Sequence, residues 1–275
     1  MSSKPYQILL TNDDGIGSPG LLAAAETLSA LGEVTVVAPR VQQTSKGRSF
    51  SRASDGIIEE HPLTLSNGRQ IKGYAVGATP AQVVIHALHE ILPVKPDLTV
   101  SGINLGENAG NCVTISGTMG AAFETASSGI PTLAASLQLP AETANYYDHD
   151  QDVDFSSAGY FTALFSRYLL EKGLPDGVDI FKLEVPFSAT PETPWQVTRH
   201  SRLRCFDIKI DREDSWQTKA TVVGVPMHLE PGQTTPGTDL NAIRVDGIVS
   251  LTPMNIDMTA RIDLNALDQS MRDTQ

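Results

Sequence analysis

Short apolar blocks recur along the first two thirds of the chain, each followed by a polar turn and then a stretch with helical spacing. Gln7–Thr11 reads as a buried strand and Pro19–Leu31 as an amphipathic helix, with Ser18 as N-cap and Pro19 at its first position. Gly32 is expected to end that helix, and Val34–Ala38 is the next apolar strand. Thr79-Pro80 repeats the cap-then-proline pattern and opens a helix predicted over Pro80–Ile91. Asp97–Ser101 then reads as a strand, Gly117–Ser128 as a helix stopped by Gly129, and Thr132–Ser136 as a strand. Strands that are apolar throughout, separated by helices, predict an α/β fold: a mostly parallel sheet with helices on both faces.

Ala141–Asp154 is polar and acidic and reads as a surface loop. Phe155–Lys172 is expected to be helical and Val178–Val185 a strand. Beyond Pro186 the alternation stops. Leu203–Ile210 and Thr218–Val223 look like a hairpin, Glu230–Asp239 a loop, Gly247–Thr252 a strand and Arg261–Gln269 a terminal helix. The division expected is a core over residues 1–186 and an extension over 187–275. Such β-ribbons lie outside the main sheet in this reading and pack against a second subunit.

Composition narrows the function classes. The chain has 275 residues and a net charge of −12, from 20 Lys and Arg against 32 Asp and Glu, which argues against a general nucleic-acid surface. Met-Ser-Ser-Lys-Pro-Tyr runs straight into a strand without room for a signal peptide, and no apolar run approaches spanning length, so no membrane role and a cytoplasmic location are expected. Cys112 and Cys205 are distant and unpatterned, indicating neither a disulfide framework nor a zinc site.

The chemistry concentrates behind three strands, where ligands of parallel sheets bind. Asn12-Asp13-Asp14-Gly15 follows the first strand. Two adjacent carboxylates there repel one another and are costly to desolvate; a hard divalent cation relieves both. The plainer reading is a polar turn in which Asp14 or Ser18 caps the next helix. Gly102–Asn111 interleaves glycines with Asn104, Asn108 and Asn111, offering amide oxygens and N–H groups; an extended turn is its plainer reading. Ser116-Gly117-Thr118 opens a helix of small residues, and its unpaired N–H groups, with two hydroxyls, make an anion site or simply an N-cap. Gly117 is expected to be glycine so that phosphate can approach its N–H. The loop Pro39–Ser49 brings hydroxyls and the cations Arg40, Lys46 and Arg48 to the same edge. Neither a Walker pattern nor a dinucleotide fingerprint is present.

T-N-D-D-G at Thr11–Gly15, S-G-I-N at Ser101–Asn104, S-G-T at Ser116–Thr118, G-T-D at Gly237–Asp239 and V-S-L-T-P at Val249–Pro253 together resemble the SurE (survival protein E) family of metal-dependent nucleotide phosphatases. The resemblance implies a Rossmann-like core, a C-terminal extension that builds a homodimer or homotetramer, and Mg²⁺ or Mn²⁺ bound by Asp13, Asp14, Thr44 and Asn104. It places phosphate contacts on Asn108, Ser116, Gly117 and Thr118. The chain departs from the family pattern at Thr44-Ser45, where serine then glycine is common, leaving Ser45 as a substitute ligand. It also departs at Arg40, at Asn111-Cys112, at Ile115 and at Asn255.

The function expected is hydrolysis of nucleoside monophosphates by activated water: 5′-nucleotidase activity, with 3′-nucleotidase and exopolyphosphatase activity open. Asp13 or Asp14 orients the water in this scheme. An aspartyl-phosphate mechanism with Asp13 as nucleophile is disfavoured because a D-x-D spacing is missing. A nucleotide- or metal-binding sensor on the same fold stays the alternative of a different class.

Overall fold

The first strand shows why the apolar blocks are unbroken. In β1 (Tyr6–Thr11), Ile8 and Leu10 enter one cluster with Leu21, Ala24 and Leu28, while Leu9 enters another with Val37, Val76 and Val83. Successive side chains of a strand point to opposite faces, so a strand covered on both sides needs an apolar residue at every position. The computed structural model describes residues 4–140, 152–227, 229 and 232–274. Most of the expected 141–154 loop lies outside them.

The elements in chain order are β1, α1 (Pro19–Leu28), β2 (Gly32–Pro39), β3 (Ile58–Glu60), β4 (Leu63–Thr64), β5 (Gln70–Val76), α2 (Pro80–His86), β6 (Leu98–Leu105), α3 (Gly117–Ser127) and β7 (Thr132–Leu137). They continue with α4 (Ser156–Lys172), β8 (Ile180–Val185), β9 (Trp195–Val197), β10 (Phe206–Arg212), β11 (Ala220–Pro226), α5 (Asp239–Asn241), β12 (Val249–Met254) and α6 (Leu264–Arg272). Ser18 caps α1 as expected, accepting from the Leu21 N–H, but the helix stops at Leu28 and Gly32 opens β2. Thr79 and Gln82 form a reciprocal capping box on α2, whose last turn widens over Ala87–Ile91.

The main sheet runs β3-β5-β2-β1-β6-β7-β8-β12-β9, with β4 paired beside β5. Pairings from β5 through β8 are parallel, and antiparallel strands occur toward both edges. Helices α1 and α4 pack together against the face carrying Ile8 and Leu10; α2 and α3 pack together against the other. From β1 the chain builds outward to β2 and β5, then returns to lay β6, β7 and β8 on the opposite side. The strand order therefore reverses between β1 and β6, and a crevice opens beyond their carboxyl ends.

Two expectations change. Strand β6 continues four residues past Ser101, so Gly102–Leu105 is the end of a strand and not a loop; its register against β7 shifts between Ser101 and Asn104. The tail was expected outside the main sheet, yet β12 pairs with β8 and β9 pairs with β12. Only the β10–β11 hairpin forms a separate two-stranded sheet among the described residues.

Candidate active site

Four segments meet at the crevice. The turn after β1 is fixed by Asn12, whose side chain accepts from the Gly15 N–H (3.2 Å) and donates to the Gly15 carbonyl (3.0 Å). This leaves Asp13 and Asp14 facing β6 and α3, at 4% and 6% exposure. Thr118 Oγ1 lies 2.6 Å from Asp13 Oδ1 and 3.0 Å from Asn104 Oδ1. The Leu105 N–H donates to Asp14 Oδ2 (2.9 Å), and the Gln42 side chain also reaches Asp14. Two carboxylates and an amide oxygen thus converge.

The register shift in β6 turns Asn104 toward this point. It rests on Gly102, whose φ of +134° and closeness to the Ala135 carbonyl exclude a side chain. Asn104 Nδ2 then donates to the Gly106 carbonyl (2.7 Å), which fixes Oδ1 as the end presented to Thr118.

The backbone at Gly117 lies against Asp13. A β-carbon there would stand 2.6 Å from Asp13 Oδ2, and the Gly117 N–H donates to the Asp13 carboxylate. The close approach is therefore by a carboxylate of the chain itself. Ser116 caps α3 through the Met119 N–H (3.1 Å), and Asn108 Nδ2 donates to Ser136 Oγ (3.0 Å) with Thr118 Oγ1 at 3.5 Å.

The loop after β2 bridges the carboxylates and the helix start. The Gln43 N–H donates to the Asp13 carbonyl (2.7 Å) and the Gly47 N–H to the Ile115 carbonyl (2.9 Å). Thr44 is half-buried within this bridge; Ser45 is exposed with φ +61°, the left-handed region that favours glycine. The expected group of three phosphate-facing cations does not form. Arg40 pairs with Asp55 (2.6 Å) and Glu59 (3.2 Å), and Arg48 with Glu124 (2.7 Å).

Burial raises the pKa of both aspartates to about 7; for Asp13 the neighbouring Asp14 charge adds to it, while Thr118 and Gly117 work against it. The donor set fits a hard divalent cation. A threonine hydroxyl has one hydrogen, so it cannot donate to Asp13 and Asn104 together, and one oxygen keeps a lone pair without a donor. All the converging ligand atoms are oxygens, as Mg²⁺ and Mn²⁺ prefer. No group of three or more His, Cys, Asp or Glu arranged for a metal occurs among the described residues. A hollow lined by Lys4, Gln7, Glu33 and Lys72 lies at the amino ends of β1 and β2, away from this chemistry.

A layer of buried charge behind the site was not anticipated. Lys182 Nζ lies 2.9 Å from Asp239 Oδ2 and 3.3 Å from Glu184 Oε1, all three fully buried. The other Glu184 oxygen accepts from the Asn108 N–H (3.0 Å), and Asp239 accepts from the N–H groups of Gly110 (3.1 Å) and Ser201 (2.8 Å). Arg244 pairs with Glu107 beside them. The loop that carries Asn108 is thereby tied to β8 and to the G-T-D segment. Burial pushes Glu184 up to about 7 against the pull of Lys182. Burial also opposes the charged form of Lys182, but its two carboxylates hold it above its usual value. The signal in the sequence was Lys182 and Glu184 alternating with apolar residues in a strand predicted to be buried.

An α/β protein with clustered oxygen donors at the reversal of its strand order is a small-molecule enzyme scaffold in form. Residues 8–207 match the model of the family described as Survival protein SurE. A Methanocella arvoryzae protein named 5′-nucleotidase SurE is 37% identical over 277 residues, covering 98% of each chain. The Thermococcus kodakarensis protein of that name is 40% identical over 263 residues, covering 94% of this chain and 95% of its own. The crystal structure of SurE protein from Aquifex aeolicus matches with a TM-score of 0.71 and 27% identity, over 98% of this chain and 99% of that one. The chain belongs to the SurE family.

Proposed function

We propose that the protein is a metal-dependent phosphomonoesterase that hydrolyses nucleoside monophosphates, a 5′-nucleotidase like the relatives that carry that name. The observation that carries the proposal is the meeting of Asp13 and Asn104 oxygens on Thr118 at the start of α3, with Asp14 held by the Leu105 N–H next in the chain to Asn104. Asp13, Asp14, Asn104 and Thr44 would hold the cation, Mg²⁺ or Mn²⁺. The φ of Ser45 supports Thr44 as the hydroxyl ligand, since Ser45 then stands where the family pattern has glycine. A bound divalent cation supplies charge stabilisation for the phosphoryl group and lowers the pKa of water.

The remaining work falls to the chain. One carboxylate of the Asp13–Asp14 pair orients the attacking water and takes its proton. Asn108, Ser116, Gly117 and Thr118 would hold the phosphoryl oxygens, with the Thr118 hydroxyl and the Gly117 N–H leaving the Asp13 carboxylate to do so. Asp13 as a nucleophile is disfavoured, because Asp13-Asp14 are adjacent carboxylates and the D-x-D spacing of aspartyl-phosphate chemistry is missing.

We assign the extension over 187–275 to assembly as a homodimer or homotetramer. Its hairpin exposes Ile208, Ile210 and Val222 and carries Trp216 at 93% exposure, and α6 exposes Leu264, Leu267 and Met271. No helix among the described residues is long and apolar enough to cross a membrane. Sedimentation at micromolar concentration tests the assembly, and a stable monomer refutes it. Turnover of p-nitrophenyl phosphate and of 5′- and 3′-nucleotides, with Mn²⁺, Mg²⁺ or chelator, tests the activity. Metal-dependent release of phosphate from 5′-nucleotides is expected; metal and nucleotide binding without turnover would make the protein a sensor.

A further inference from the structure

Cys112 and Cys205 are the two cysteines of the chain, and their sequence positions gave no reason to pair them. The fold brings them together: Cys205 Sγ lies 2.6 Å from Cys112 Sγ. Neither faces open solvent, at 9% exposure for Cys112 and 0% for Cys205, and both pack with Ala109, Leu240 and Ile243. Hydrogen bonds dock the two segments independently of the sulfurs. The Asn111 N–H donates to the Leu203 carbonyl (2.9 Å), and Asn111 Nδ2 to the Arg202 carbonyl (3.4 Å). The thiols therefore meet because their surroundings hold them there.

We propose that Cys112 and Cys205 are a modification site, a dithiol that small peroxides convert reversibly to a disulfide joining the loop before α3 to the C-terminal extension. The two thiols differ in reach: Cys112 keeps 9% exposure and Cys205 none. Cys112, as its thiolate, is the sulfur that attacks the peroxide. One oxygen of hydrogen peroxide is transferred to Cys112 Sγ, the O–O bond breaks, and the other oxygen leaves as hydroxide. Cys205 Sγ then attacks the Cys112 sulfenic sulfur, the S–O bond breaks, and the Cys205 proton leaves with that oxygen as water. In net terms one peroxide is reduced to two waters and two thiols are oxidised to one disulfide.

The link would join residues 93 positions apart. Its location matters because Cys112 sits in the turn Gly110–Thr114, between Asn108 and Ser116. The proposal stands apart from the phosphatase reading, since neither cysteine touches the carboxylates.

The test uses the full chain, reduced and then titrated with hydrogen peroxide before alkylation. Oxidation is expected to remove the mass of two hydrogens, protect both thiols from alkylation and yield one linked peptide containing Cys112 and Cys205. It is expected to raise Tm by roughly 5–10 °C, with dithiothreitol reversing all four changes. Cys205→Ser should lose the link and accumulate sulfenic or sulfinic acid at Cys112. Cys205→Ala, which adds no polar group, is the second variant should serine unfold the hairpin. Two alkylatable thiols after peroxide, over-oxidation of Cys112 in the wild type without a linked peptide, or a link only between chains would each overturn the proposal.

Discussion

Replacing Asp13 with asparagine removes a charge and almost no volume, which makes it a direct probe of the buried pair. Asp13 has its pKa raised from 3.8 to about 7 by burial and by Asp14. Between those values the folded chain keeps a proton that the unfolded chain has released, so stability is full at low pH and falls as pH rises. One proton is equivalent to about 1.4 kcal/mol per pH unit, so this carboxylate alone costs on the order of 4 kcal/mol between pH 4 and pH 7. Screening by solvent is slight at 4% exposure. The amide oxygen introduced by Asp13→Asn would still accept from Thr118, so the variant is expected to fold. In chelator, its urea-unfolding free energy should fall less steeply from pH 5 to pH 7 than that of the wild type, by about 1.4 kcal/mol per unit. Saturating Mn²⁺ should flatten the wild-type curve and leave the mutant nearly unmoved. Glu184 titrates in the same range, but it contributes to both proteins and drops out of the difference. Parallel curves for the two proteins in chelator would refute the reasoning.

Other substitutions separate the remaining roles. Thr44→Ala should weaken Mn²⁺ binding at least tenfold by titration, whereas Ser45→Gly should leave it unchanged; the reverse order would move the ligand by one residue. Gly117→Ala should displace Asp13, lowering both turnover and Mn²⁺ affinity, and unaltered metal binding would mean that the α3 contact is unimportant to the carboxylate. Lys182→Met should destabilise by about 3–5 kcal/mol in denaturant melts, because Glu184 and Asp239 would be left buried without their cation; a loss under about 1 kcal/mol would show that the pair is solvated.

Periodicity made the parallel sheet legible because a strand covered on both faces has few permissible residues, and Ile8-Leu9-Leu10 can be little else. Side-chain type singled out Asp13 and Asp14, a carboxylate pair that is costly to bury, whereas Asn104 stood out only through the family resemblance; the fold brings its amide oxygen within 3.0 Å of Thr118. Pairing across distance was not legible. Lys182 sits 57 positions from Asp239, and nothing local marks Arg40 as the partner of Asp55 rather than of a phosphate. The extent of β6 is not legible because Gly102 and Asn104 favour turns, and the β7 and Asp14 contacts override that preference. A glycine in sequence does not say which group comes near, and at Gly117 that group is the Asp13 carboxylate.

The ionic tie between β8 and the G-T-D segment also sets an order of events. A ribosome releases Asp13, Asn104 and Thr118 long before it makes Asp239, and β8 remains a sheet edge until β12 follows. In that interval Lys182 has only Glu184 to face, and the Gly110 N–H lacks its acceptor. A nascent chain thus carries the carboxylates early but receives the frame of its Asn108 loop last. A chain cut before Asp239 would leave Lys182 with Glu184 as its one counter-charge from this triad and the Gly110 N–H without its acceptor.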